Sequence, residues 1–184
     1  MESTLQQFDQ IMASCREVFL NKHQDYGSSW RIFRPSSLTD QLFIKAKRLR
    51  SIEEKGLQLV DDPLDGEYKG LINYSILAII QSRLPADSGL DLSAEEVAAL
   101  YDTEIRGTRA LLEKKNHDYG EVWRELRLTS ITDLMLAKLL RIRQIEENQG
   151  HTLVSEGQEG NFRDIINYAV FALILLEDGS SDPQ

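Results

Sequence analysis

One cysteine, Cys15, in 184 residues excludes a disulfide framework and points to a reducing, cytoplasmic setting. Three histidines, His23, His117 and His151, form neither a Cys/His cluster nor an HExxH spacing, which excludes a zinc site. A glycine-rich phosphate loop and a nucleophilic Ser or Cys motif are missing too. No stretch alternates with period two, so strands are not expected. The longest apolar run, Ala169 to Leu176, falls well short of the roughly 20 residues that cross a bilayer. Glu2, Asp9, Arg16 and Glu17 interrupt the first twenty residues, so no signal peptide is expected there. Positive charge is scarce: 21 Lys and Arg against 30 Asp and Glu leave a net charge of −9. That balance disfavours DNA, RNA and anionic membranes. Any phosphate has to be gripped locally.

What the chain does have is itself, twice. Residues Lys22 to Glu54 align without a gap on Lys115 to Glu147, and 16 of the 33 positions are identical. Asp25-Tyr26-Gly27 returns as Asp118-Tyr119-Gly120, Trp30-Arg31 as Trp123-Arg124, and Ile72-Asn73-Tyr74 as Ile166-Asn167-Tyr168 one inserted residue later. Ten of the 16 identities are charged, while apolar positions drift, as Phe43 to Leu136 shows. Packing alone would keep the apolar pattern and release the charges. The charges therefore have a task.

Each copy reads as three helices. Leu5, Phe8, Ile11, Met12, Cys15 and Phe19 make one helical face, matched by Val97, Leu100, Tyr101, Ile105, Thr108 and Leu112. The second helix is expected to open at Ser37 or Ser130, with Asp40 or Asp133 three residues on as a capping box, and to run to about Glu54 or Glu147. The third, Leu71 to Leu84 and Asp164 to Glu177, is apolar nearly all round and needs cover on every side. Packing the copies about a pseudo-twofold axis supplies that cover. The expectation is one all-α helical bundle over residues 1–184: a first copy at 1–84, a linker at 85–92, a second copy at 93–178 opened by a Ser93 cap, and a disordered tail at 179–184. It is an intramolecular pseudo-dimer, present in solution as a monomer or a homodimer.

Chemistry gathers in three places. Lys45 and Arg48, like Lys138 and Arg141, share a helix face and have no acid at i+4, which suits an anion; Arg50 and Arg143 can instead reach Glu54 and Glu147. The loop after the first helix brings Lys22, Asp25, Tyr26, Trp30 and Arg31, or Lys115, Asp118, Tyr119, Trp123 and Arg124: stacking surfaces, acceptors and cations, as a nucleotide pocket requires. Asn73 and Asn167, inside the most apolar helix, either pair with each other across the axis or read a base, and Tyr74 and Tyr168 beside them share that ambiguity. Carboxylates open to a hard metal are Asp40, Asp133, Glu53, Glu146 and the acidic stretch that pairs Asp62 with Glu156 and Asp65 with Glu159. The copies then diverge, for Asp164 stands where the first copy has Gly70, and Asn161 where it has Glu67.

K-x-x-D-Y-G, W-R, S-x-T-D, K-x-x-R-x-R, I-E-E and I-N-Y together resemble the nucleotide modification associated domain of the first type, as two tandem units covering nearly the whole chain. Lys115, Asp118, Tyr119, Gly120, Trp123, Asp133, Lys138, Arg141, Asp164, Asn167 and Tyr168 fit that pattern, and the first copy departs from it at Gly70. The resemblance implies a role in nucleotide metabolism. More remotely, the helical layout is similar to the MazG-like and dimeric dUTPase group of all-α nucleoside triphosphate pyrophosphohydrolases, which hold magnesium on E-x-x-E and E-x-x-D helices. This chain has K-x-x-R in place of the first motif.

Two functions follow as expectations. In the first, the chain hydrolyses a nucleotide or pteridine triphosphate: Asp164 and Asp133, with Glu159, hold Mg²⁺, while Lys138, Arg141 and Arg124 clamp phosphates. The cleft with Asp164 would then turn over and that with Gly70 would at most bind. In the second, the same basic and aromatic residues form a non-catalytic nucleotide-binding or regulatory module. A purely structural scaffold is the third reading.

Overall fold

A computed structural model describes residues 3–60, 63–153 and 157–179, and within them every regular element is helical. Helices α1 (Thr4–Tyr26), α2 (Pro35–Lys55) and α3 (Leu64–Arg83) make the first copy; α4 (Ala94–Tyr119), α5 (Leu128–Glu147) and α6 (Gly157–Glu177) make the second. A short 3₁₀ turn follows the first helix of each copy, at Ser29–Ile32 and Val122–Glu125. Among the described residues no helix is long and apolar enough to cross a membrane. Asp62, Glu156 and the tail beyond Gly179 lie outside the described residues.

Like pairs with like across the axis. The third helices α3 and α6 pack on each other at the centre, where Leu71, Ile72, Ile76, Ile79 and Ile80 meet a helix whose Ile165, Ile166, Ala169, Val170 and Ile174 are equally buried. Each fully buried Leu or Ile is worth roughly 1.5–3 kcal/mol over exposure. One hydrophobic cluster, from Phe8 and Met12 to Leu173 and Leu175, runs through both copies.

The recurring charges lock the outer pairs. Arg16 holds Asp102 at 2.6 Å, and the equivalent Arg109 holds Asp9 at 2.8 Å, so α1 and α4 are clasped twice. Between α2 and α5, Arg50 reaches Asp133 at 3.0 Å and Arg143 reaches Asp40 at 2.6 Å. Thr39 donates to Glu146 and Thr132 to Glu53, both at 2.6 Å. Each contact has its mirror image about the axis.

This corrects the expected helix caps. The second helices begin at Pro35 and Leu128 with Arg34 and Arg127 as N-caps, and neither has a side-chain cap bond. In the first copy Pro35 supplies the reason, since its fixed φ suits the first helical position and needs no N–H. Ser37 and Ser130 thus fall inside the first turn, and Asp40 and Asp133 are cross-copy partners. Arg50 does bond Glu54 at 2.8 Å, but spends its other arm across the interface. The Ser93 cap does form, in a capping box with Glu96, and Ser3 forms one with Gln6.

Candidate functional site

The repeat builds one cavity per copy, between the end of the first helix, the 3₁₀ turn, and the second and third helices. In the first copy Lys22, Tyr26, Gly27, Trp30, Lys45, Asn73 and Tyr74 line a cavity of about 550 Å³. Their equivalents Lys115, Tyr119, Gly120, Trp123, Lys138, Asn167 and Tyr168 line one of about 360 Å³. Gly27 and Gly120 end α1 and α4 at φ +60° and +65°, a conformation that favours glycine and turns the chain toward the cavity.

Equivalent walls carry different contents. In the second cleft Asp164, largely buried, ion-pairs with both Lys115 and Lys138, the latter at 2.7 Å. In the first, Gly70 puts no side chain there, and the Lys45 side chain takes up the space. Lys45 meets Glu67 at a loose 3.7 Å, and its ammonium is 5.7 Å from the Tyr74 ring centre. Lys22 has no ion-pair partner among the described residues. The acid has in effect moved one helical turn: Glu67 of the first copy holds Arg48, whereas its counterpart Asn161 bonds its own helix at Gly157 and leaves Arg141 exposed. A second exchange sets the volumes. Phe171 stacks on Trp123 with centroids 4.3 Å apart and planes 6° from parallel, while the smaller Leu77 lines the first cavity beside Trp30.

Orphaned polar atoms mark both cavities. His23 Nδ1 and Trp30 Nε1 in the first, and Trp123 Nε1 with both amide atoms of Asn167 in the second, are buried without a partner. Burial, and then the Asp164 charge, raise the Tyr168 hydroxyl above its ordinary pKa. Burial also pushes the Cys15 thiol up to about 12, which leaves it inert beneath the first cleft.

Several expected site residues are elsewhere. Arg31 is buried and fastens the linker, bonding Gly89 O, Pro85 O, Ser88 Oγ and Gln81 Oε1. Arg124 lies over the Trp123 ring at 4.4 Å and bonds Glu121, Asp178 and Gln7. Both are pins, so neither is free to clamp phosphate. Asp25 and Asp118 are exposed and line neither cavity; Asp118 contacts His117 instead. Asn73 and Asn167 do not pair with each other, since Asn73 is taken by Cys15 and Tyr101.

The acids expected to hold Mg²⁺ do not converge. Asp164 neutralises two lysines, Asp133 meets Arg50 at the interface, and Glu159 joins Arg83, Arg163 and the buried Glu104 in a separate network. Burial works to raise Glu159, but its bonds to Arg83 and Arg163 outweigh this and hold it below its ordinary value. Among the described residues no three His, Cys, Asp or Glu side chains cluster as a metal site. This donor set does not fit a magnesium ion.

The profile of the family described as Nucleotide modification associated domain 1 matches twice, over residues 22–82 and 115–176. The chain belongs to that family. Each of this member's two matched stretches contains most of one cavity wall, from Lys22 to Leu77 or from Lys115 to Phe171, with Val18, Phe19 and Leu112 added from the helix before it. Searches of curated proteins and of solved structures find no match.

Sequence reasoning missed His23, Lys69 and Phe171 as lining residues. Signals were present in the unequal pairs: Leu77 and Phe171 occupy equivalent positions and line different cavities, and of the equivalent Phe8 and Tyr101 the tyrosine bonds the cavity-lining Asn73.

Proposed function

We propose that the first-copy cleft binds a small phosphorylated ligand of nucleotide or pteridine type, with a triphosphate as the reference case. Lys22 and Lys45 take the phosphate oxygens, and Lys69 stands at the same wall, already shared with Asp65 at 3.3 Å. Tyr26, Trp30 and Tyr74 offer ring faces for a flat heterocycle, and the bare Trp30 Nε1 and His23 Nδ1 offer bonds to its edge. One observation carries the reading: on a chain of net charge −9, this cavity presents Lys22 with no ion-pair partner among the described residues and Lys45 with only a loose one, Glu67 at 3.7 Å. The family description, nucleotide modification associated, agrees with it. A small-molecule partner in a reducing, cytoplasmic setting suits both the charge and the single thiol.

Binding is favoured over Mg²⁺-dependent hydrolysis because the acids needed for the latter are held apart by Arg and Lys. The test is a calorimetric panel of nucleoside and pteridine triphosphates, with and without Mg²⁺, read in parallel for phosphate release. Binding that needs no Mg²⁺ and drops at least about tenfold in Lys22→Ala/Lys45→Ala is the expected result. Affinity unchanged in that variant would remove the assignment, and Mg²⁺-dependent phosphate release would restore the hydrolase reading.

A further inference from the structure

Two carboxamides hold equivalent places in the two clefts, and only one is satisfied. Asn73 donates from Nδ2 to Cys15 O at 3.1 Å and accepts at Oδ1 from the Tyr101 hydroxyl at 2.7 Å. Asn167, 4% exposed, lines the second cavity with neither Oδ1 nor Nδ2 bonded. A single residue accounts for the missing hydroxyl. The counterpart of Tyr101 is Phe8, fully buried, which has none to give. An unmet buried polar group costs about 1–3 kcal/mol, so an asparagine here is a standing penalty until something outside the chain completes it.

The surroundings say what that something is. Trp123 Nε1, in the same lining, is a second bare donor. Asp164 already occupies Lys115 and Lys138, so a phosphate entering here would face a carboxylate and two spent cations. The walls are apolar and aromatic, and the volume of about 360 Å³ lies at the small end of ligand sites, which run from roughly 300 to 1,000 Å³. A carboxamide is matched by a neighbouring N–H and C=O on one edge.

We infer that the second cleft is a separate site for an uncharged, lactam-bearing heterocycle, a nucleobase or its nucleoside, whose N–H/C=O edge pairs with Asn167. This goes beyond the phosphate-binding reading and depends on a different cavity. The two clefts then divide a phosphorylated ligand from an unphosphorylated one.

The experiment uses the full chain carrying Lys22→Ala/Lys45→Ala, so that the first cleft is silenced. Uridine and inosine are titrated by calorimetry beside 3-methyluridine and 1-methylinosine, which lack the edge N–H, and beside the 5′-monophosphates. At least one parent nucleoside should bind, its methylated form about tenfold or more weakly, and its monophosphate no more tightly. Asn167→Leu should weaken binding as much. Phe8→Tyr, which offers Asn167 the hydroxyl that Tyr101 gives Asn73, should weaken it too while raising the melting temperature. Should Asn167→Leu fail to fold, Phe8→Tyr and the methylated ligands decide. No nucleoside binding at millimolar concentration, indifference to methylation, or tighter binding of the monophosphate would each overturn the inference. Triphosphate affinity unchanged by Lys22→Ala/Lys45→Ala, with nucleoside binding intact, would count against the first-cleft reading alone.

Discussion

Lys45 lies so close over Gly70 that a methyl group there would stand 2.8 Å from its Cε and 3.1 Å from its ammonium. Asp164 shows what happens when a carboxylate is placed at the equivalent point: it binds the equivalent lysine. Gly70→Asp should therefore convert the first cleft to the electrostatics of the second. Lys45 is flexible and can shift, so the fold should survive, with a melting temperature within a few degrees of wild type. Phosphate-ligand affinity should fall at least about tenfold, measured by calorimetry. Full affinity in a folded Gly70→Asp protein would show that Lys45 is not the grip.

The reverse change tests the second cleft. Asp164→Asn leaves Lys115 and Lys138 facing each other without their counter-ion. Because Asp164 and Lys138 are largely buried while Lys115 is half-exposed, the loss should fall between surface and buried pairs, about 1–3 kcal/mol. Urea unfolding measures that loss. Added to Lys22→Ala/Lys45→Ala, Asp164→Asn should give the second cleft measurable affinity for inorganic pyrophosphate, which the Lys22→Ala/Lys45→Ala protein lacks.

How much of this was legible in the chain divides along a physical line. Helix number, the apolar faces and the central pairing of α3 with α6 follow from periodicity and from the need to cover an all-apolar helix, and both cavities are lined by repeated residues such as Lys22, Trp30 and Lys45. The partners of the charges were not legible. Asp40 and Arg143 are 103 residues apart, and no local spacing announces that they meet. Asp9 and Arg16 recur as Asp102 and Arg109, a signal lying upstream of the strongest part of the repeat. Once the cross-copy locks are known, Asp40, Arg50 and Glu53 with their copies are accounted for by the interface, and the recurring charges that line the clefts are Lys22 and Lys45 with Lys115 and Lys138.

Two of those locks carry a pH signature. Burial raises Glu53 and Glu146 above the ordinary 4.5, with the bonds from Thr132 and Thr39 opposing only in part. An acid with a raised folded-state pKa binds its proton more tightly in the fold. Its contribution to stability is therefore fullest below the unfolded value and is lost as pH rises through the folded one. Glu53→Gln/Glu146→Gln keeps an acceptor for each threonine and removes the ionisation. The double variant should melt higher than wild type at pH 7, and the gap should close by about pH 4. A gap that widens on acidification would reverse the sign and assign the glutamates a net favourable charge.

Each copy contains both halves of every lock: Asp102 with Arg109, Thr132 with Glu146, and Asp133 with Arg143. Residues 93–179 expressed alone should accordingly form a twofold homodimer, since two identical copies can remake each contact and cover two α6 helices. Light scattering after size exclusion should give twice the chain mass. A folded monomer would mean that α6 can be left uncovered, against its burial in the whole chain.

In a homodimer of that kind every substitution is delivered to both sites at once, so a change that helps one task damages the other in the same molecule. Joining the halves through the residues pinned by Arg31 ends that coupling. A carboxylate can enter beside Lys138 while Lys45 keeps its glycine, and a tyrosine can quiet Asn73 while a phenylalanine leaves Asn167 unmet. Covalent linkage at residues 84–93 thus provides independence of sequence to two pockets that still depend on one another for their shape.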